Sequence, residues 1–318
     1  MDNSVEALLQ ESRLLFEQGN PQEARKFLGE KLHANLKYGD FKFAVACLDF
    51  WKGDFVQMDY MASDFEKGEC LLTKWKRFIG PEFLQKDDWK DYKDTPYVTS
   101  AKKFAFSVAL KQFLKLQDEK NPRQKAEILR RIGLCHKRLG NYEQSLDVLR
   151  EANALTQGSS ADMIAELADC YALTGDDRTA KLLFREAFFI DAQKIDLSWL
   201  DSELIQRLVA LVKDEVGEEG PLLLEWIPVY GVLYGVFNVK RDLRATEAGQ
   251  LKQAVYTKEN ESKNPTNKDR RTLVPRLIYM YFWLMDHYSG VPGGEEKINQ
   301  IMLKIKLLEP KIYAMCTR

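Results

Sequence analysis

AEILRRIGLCHKRLGNYEQSLDVLREANALTQGSS, residues Ala126–Ser160, is followed without a gap by ADMIAELADCYALTGDDRTAKLLFREAFFIDAQKI, residues Ala161–Ile195. The two stretches share one spacing of small and large residues, the second 35 residues after the first. Gly133 aligns with Ala168, Gly140 with Gly175, Ser145 with Ala180, Leu149 with Phe184, and Ala152 with Ala187. Small residues at those places let two helices approach closely, and the larger ones fill the groove between them. The turns Leu139-Gly140-Asn141 and Thr174-Gly175-Asp176 put glycine where a helix ends in the left-handed conformation. The spacing predicts two helical hairpins in tandem.

This pattern resembles the tetratricopeptide repeat, a helix-turn-helix unit of about 34 residues. The family places small residues at the eighth, twentieth and twenty-seventh positions, which here are Gly133, Ser145 and Ala152, then Ala168, Ala180 and Ala187. Both copies lack the closing proline (Ala192 stands there in the second), and His136 replaces the usual tyrosine of the eleventh position. The likeness is clear over 126–195 and weaker over 4–66 and 99–117. In the former, Gly19 and Gly53 lie 34 residues apart; in the latter, Ala109 and Phe113 precede Ser145 and Leu149 by 36. The resemblance implies an all-α, tetratricopeptide-like helical-hairpin solenoid with a divergent helical C-terminal region.

Composition agrees. Charged residues make up 30% of 318 and hydrophobic ones 45%, which suits a helical chain whose hairpins pack on their neighbours. A net charge of −1 argues against a bulk nucleic-acid binder. The start, Met1-Asp2-Asn3-Ser4-Val5-Glu6, lacks a signal peptide's basic and apolar run. Five widely separated cysteines without Cys-x-x-Cys fit buried packing rather than disulfides, and the expected compartment is the cytoplasm.

Along the chain, hairpins are expected from Val5–Gln18 with Gln22–Asn35, and from Phe41–Trp51 with Phe55–Glu66, turning at Gly53. A charged insertion near 85–99 reads as a solvated loop. Gly217-Glu218-Glu219-Gly220-Pro221 breaks the pattern, giving a repeat region over 1–216 and a divergent region or cap over 217–318. Leu222–Val239 is apolar except for Glu225 and Asn238, close to a membrane span in length. Pro228, Gly231, Gly235 and Glu225 favour buried packing instead. Arg241–Tyr256 reads as a helix, Lys258–Arg271 as a polar loop, Thr272–Tyr288 as a central helix with Pro275 in its first turn, and Glu295–Met315 as one amphipathic helix.

Chemistry mostly returns negatives. Three histidines form no His-Glu-x-x-His and no zinc spacing, no Gly-x-Ser-x-Gly elbow occurs, and the acidic run of Asp87, Asp88, Asp91 and Asp94 lacks a calcium loop's glycine. Neither a catalytic residue nor a cofactor or metal is expected. In the family, the first helix of each hairpin lines a groove, which by resemblance falls on Arg130, Arg131, Leu134, Lys137 and Arg138, then on Glu166 and Asp169. Basic and acidic stripes there would hold a protein or peptide partner; paired with each other, they would be structural. The expected function is a noncatalytic protein-interaction scaffold. Two alternatives stand beside it: a membrane-associated assembly factor touching lipid or a membrane protein through 222–239, and an enzyme with a site in the C-terminal region.

Overall fold

The computed structural model describes residues 3–58, 60–263 and 270–317. Among them the chain forms sixteen α-helices and no strand, and the helices pack in neighbouring pairs. This is an all-α fold of the helical-hairpin kind. It divides into two compact units, Met1–Thr156 and Gln157–Arg318.

The first unit holds α1 (Asn3–Glu17), α2 (Pro21–Glu30), α3 (Leu32–Asn35), α4 (Gly39–Met58), α5 (Asp64–Ile79), α6 (Pro96–Leu114), α7 (Pro122–Arg138) and α8 (Tyr142–Leu155). The α7/α8 hairpin forms where the spacing predicts it. A Cβ on Gly133 would lie 2.6 Å from Leu149 Cγ, and Ser145 Oγ donates to the Gly133 carbonyl at 2.8 Å. Gly140 has φ +85°; its N–H donates to Lys137 O at 3.0 Å and the Asn141 N–H to His136 O at 2.9 Å. These two bonds satisfy carbonyls that a helix end leaves open.

The same turn closes α1 on α2. Gly19 has φ +98°, with Gly19 N–H donating to Phe16 O at 3.0 Å and Asn20 N–H to Leu15 O at 3.1 Å. Ser12, Ala24 and Leu28 are fully buried at the places of Gly133, Ser145 and Leu149. A third pair, α5 and α6, meets at Gly68, where a Cβ would fall 2.3 Å from the Phe113 ring. The charged insertion therefore lies in the turn of that hairpin. Its charges face solvent, but its aromatics do not form a free loop: Tyr92 stacks on Phe43 at 4.7 Å, and Trp89 lies 5.6 Å from the same ring.

One expected turn is absent. Helix α4 runs unbroken through Gly53, because a lone glycine costs a helix only about 1 kcal/mol. Phe41, Ala44, Cys47, Leu48 and Trp51 bury its inner face. Helix α6 also meets α1, through Phe16 and Phe104 at 4.8 Å and a 2.7 Å hydrogen bond from Ser100 Oγ to Glu17.

The second unit holds α9 (Ala161–Leu173), α10 (Asp177–Asp191), α11 (Glu203–Val216), α12 (Gly220–Leu233), α13 (Ala245–Ser262), α14 (Arg270–Ser289), α15 (Glu295–Leu308) and α16 (Pro310–Cys316). Gly175, at φ +86°, repeats the bonding of Gly140: Asp176 N–H donates to Tyr171 O at 2.9 Å and Gly175 N–H to Ala172 O at 3.1 Å. Helix α14 is central, packing on α12, α13 and α15 through Leu277, Ile278, Tyr281 and Trp283. The apolar 222–239 stretch is helical to Leu233. It then folds back, with Phe237 N–H donating to Gly231 O at 2.8 Å and the ring covering that glycine. No described helix is long and apolar enough to cross a membrane.

Three boundaries differ from expectation. Lys258–Ser262 extend α13 rather than opening a loop, and the Asn264-Pro265-Thr266-Asn267 stretch lies outside the described residues. Helix α14 starts at Arg270, so Pro275 sits inside it rather than in its first turn. The last helix stops at Leu308 because Pro310 cannot donate to continue it, and α16 starts afresh there.

Candidate functional site

The residues expected to line a groove are mostly packed. On α7, Leu134 is fully buried, and Arg130, Lys137 and Arg138 are 7%, 2% and 8% exposed. Arg131 is half-buried, with Nε 2.7 Å from Glu69 on α5 and Nη2 3.2 Å from Glu127 one turn earlier. Arg138 lies over the Phe106 ring at 6.0 Å. On α9 in the second unit, Glu166 is buried, and Asp169 accepts from the Asp201 and Ser202 N–H groups at 2.9 and 2.8 Å. Asp169 thereby holds the start of α11, where helix-end donors need an acceptor. Arg131 and Asp169 thus tie helices together, and these charges are not laid out as an exposed stripe.

Most of the large aromatic side chains of the C-terminal region are packed as well. Of the C-terminal aromatics, Tyr230, Tyr279, Phe282 and Trp283 are buried, Trp226 is half-buried and Tyr234 is exposed. Burial holds the His136 imidazole below its usual basicity and pushes up the Cys47 thiol and the Tyr279 phenol. These shifts follow from desolvation within the packing rather than from acid and base groups facing each other across a cleft. No cluster of three metal-ligating side chains occurs among the described residues.

A dense ion network braces α10, α13 and α14. Arg185, 2% exposed, pairs with Asp286 and stacks over Trp283 at 4.9 Å. Lys240 reaches the same carboxylate. Arg241 lies 2.8 Å from Glu186 and 3.1 Å from Glu247.

One surface with unfilled space lies between α9, α10, α11 and the end of α12. It is a cleft of about 660 Å³ with Leu204, Leu208, Leu211, Tyr234 and Val236 on its apolar side. Leu211 is 54% exposed and Tyr234 39%. Asp177, Lys181, Glu203 and Arg207 add both signs of charge to the lining. Helix α11 shows why. Ile205, Leu208 and Val212 face the core, while Leu204, partly buried against that core, and exposed Leu211 form a second apolar stripe beside them. That doubled stripe is visible in ELIQRLVALVKDEV and was the available signal for this cleft. No protein-family model matches the chain, and no characterised protein matches it in sequence. Geometry alone therefore defines the class: a helical-hairpin protein with an open apolar cleft rimmed by mixed charge.

Proposed function

We propose that the chain is a cytoplasmic, noncatalytic protein-interaction scaffold of tetratricopeptide-like hairpins, and that it holds a peptide segment of a partner protein in the α9–α12 cleft. The observation that carries this reading is the exposure of Leu211 and Tyr234 within the cleft lined by Leu204 and Val236. Large side chains left open in a concave, charge-rimmed site are suited to anchoring apolar side chains of an extended or helical segment. The tetratricopeptide part is supported by the turn geometry shared at Gly19, Gly140 and Gly175 and by the small residues Ser12, Gly133 and Ala168. The five cysteines are free thiols, as suits a reducing compartment.

Site-specific photocrosslinking tests it. A photoreactive amino acid at position 211 should give a discrete adduct in native lysate that Tyr234→Ala and Arg207→Glu diminish. A crosslinker at exposed Lys86 should not give that adduct. Absence of a discrete adduct at 211, or one indifferent to both substitutions, would overturn the cleft as the binding site.

A further inference from the structure

A second cleft opens between α13, α14 and α15, with a volume of about 300 Å³. Its floor is apolar and aromatic: Val255, Tyr281, Leu284 and Ile301 are buried there. Its rim is cationic. Lys252 Nζ lies 5.3 Å and Lys297 Nζ 5.0 Å from the centroid of the same Tyr288 ring, and Lys304 stands 5.9 Å from Tyr281. The one carboxylate in the cleft, Glu259, is already engaged, accepting from Lys304 Nζ and from the Tyr281 hydroxyl, each at 2.7 Å.

Lys252 and Lys297 are different. One helical turn away, Lys252 has Ala248, Gly249, Val255 and Tyr256, and Lys297 has Gly293, Gly294, Gln300 and Ile301. None is acidic, so neither lysine has the i,i+3 or i,i+4 partner that surface lysines commonly find. Among the described residues neither makes an ion pair. A ring face holds an ammonium in place without neutralising it. Two such charges at one ring repel each other, and an anion between them removes that cost.

We propose that this cleft docks an acidic segment of a partner protein, one that places an aromatic or large aliphatic side chain beside its carboxylates. The apolar side chain enters over Val255, Leu284 and Ile301, and the carboxylates meet Lys252 and Lys297. A cleft of this size is at the small end for ligand sites, about 300–1,000 Å³, so it accepts a side chain rather than a folded surface. Two uncompensated lysines in a concave site also fall short of the four to eight clustered cations that mark an anionic-membrane surface. The inference rests on the interaction reading of the protein but uses a surface separate from the α9–α12 cleft.

The test is a display selection of random dodecapeptides on the full chain, repeated with Lys252→Glu/Lys297→Glu and with the milder Lys252→Gln/Lys297→Gln. Both lysines are exposed, and circular dichroism checks that each variant keeps the parent's helicity and melt. Expected is recovery of peptides in which Asp or Glu adjoins Phe, Trp or Leu. A resynthesised peptide should weaken at least about tenfold by fluorescence anisotropy in both variants, and weaken with added salt. A recovered set without acidic bias, or a bias that both variants keep, overturns the proposal. So does capture of phosphatidylcholine/phosphatidylserine vesicles that the variants lose while no acidic peptide is recovered. Peptides lost with Leu211→Glu but kept by the lysine variants would overturn this site while supporting the α9–α12 cleft.

Discussion

Glu225 is a carboxylate 5% exposed on α12. Gln193 donates to it at 2.8 Å, and Arg276 stands 3.7 Å away. Burial pushes its carboxyl above the usual glutamate range, and those two partners only partly offset that. An acid raised by folding adds stability below its unfolded pKa and loses it as pH rises through the folded value. Glu225→Gln keeps an acceptor for Gln193 and removes the buried charge. It should raise the Tm at pH 7.5, with the gain shrinking as pH falls toward 4; a lower Tm at pH 7.5 would show that the Arg276 attraction dominates. Glycines make a second residue-scale contrast. Gly68 has no room for a Cβ, which would meet Phe113 at 2.3 Å, whereas Gly249 on α13 has nothing within 4 Å. Gly68→Ala should therefore destabilise by about 1–3 kcal/mol through overpacking. Gly249→Ala should stabilise by about 0.5–1 kcal/mol through helix propensity. Chemical denaturation of both variants reads the difference in sign.

At the scale of elements, the start of α13 depends on one side chain. Glu247 accepts from the Arg244 side chain at 3.0 Å and its backbone N–H at 2.8 Å, and from Arg241. The Arg244 contacts, led by the side-chain bond, bring its carboxyl down to about 2 from an ordinary value of 4.5. A depressed acid contributes stability above its unfolded pKa and loses it as pH falls through the folded one. Wild type should therefore lose stability relative to Glu247→Gln between about pH 4.5 and 2, and thermal melts across that range would reveal equal slopes if the bonds contribute nothing. Element recognition from sequence succeeded where a local rule was sufficient. Gly140 and Gly175 each follow an amphipathic run and precede a polar residue, and each forms the same two-bond cap. It failed where the deciding contact is distant in sequence. The α5/α6 hairpin was hidden because residues 80–95 separate Gly68 from Phe113, and the insertion's Tyr92 reads as solvated until Phe43 is placed beneath it. The residues expected to line a groove are a different case. Arg131 and Asp169 have the types that bind peptides, but Glu69 and the 201–202 backbone satisfy them inside the protein. The sequence shows no acidic residue one helical turn from Lys252 or Lys297, but it does not disclose their cleft, which exists only once α13 and α15 flank Tyr288.

For the whole molecule, the consequence of building from neighbouring pairs is that stability is local. Each hairpin's small residues are buried within that hairpin, as Gly133 is by Leu149 and Ala168 and Ala180 are within α9/α10. In such a chain, unfolding free energy is the sum of the units and their nearest interfaces, and different segments open with different free energies. Leu149 is fully buried in the α7/α8 seam, so Leu149→Ala removes contacts worth about 2–5 kcal/mol. Hydrogen exchange on the intact chain should then speed up in α7, α8 and the adjoining α6. Amides of α13, α14 and α15, whose core is built from Leu251, Tyr281, Leu284 and Ile301, should stay close to their parent protection. A single cooperative globule would instead transmit the loss to every slowly exchanging amide alike. An even acceleration across α13–α15 would thus refute local stability.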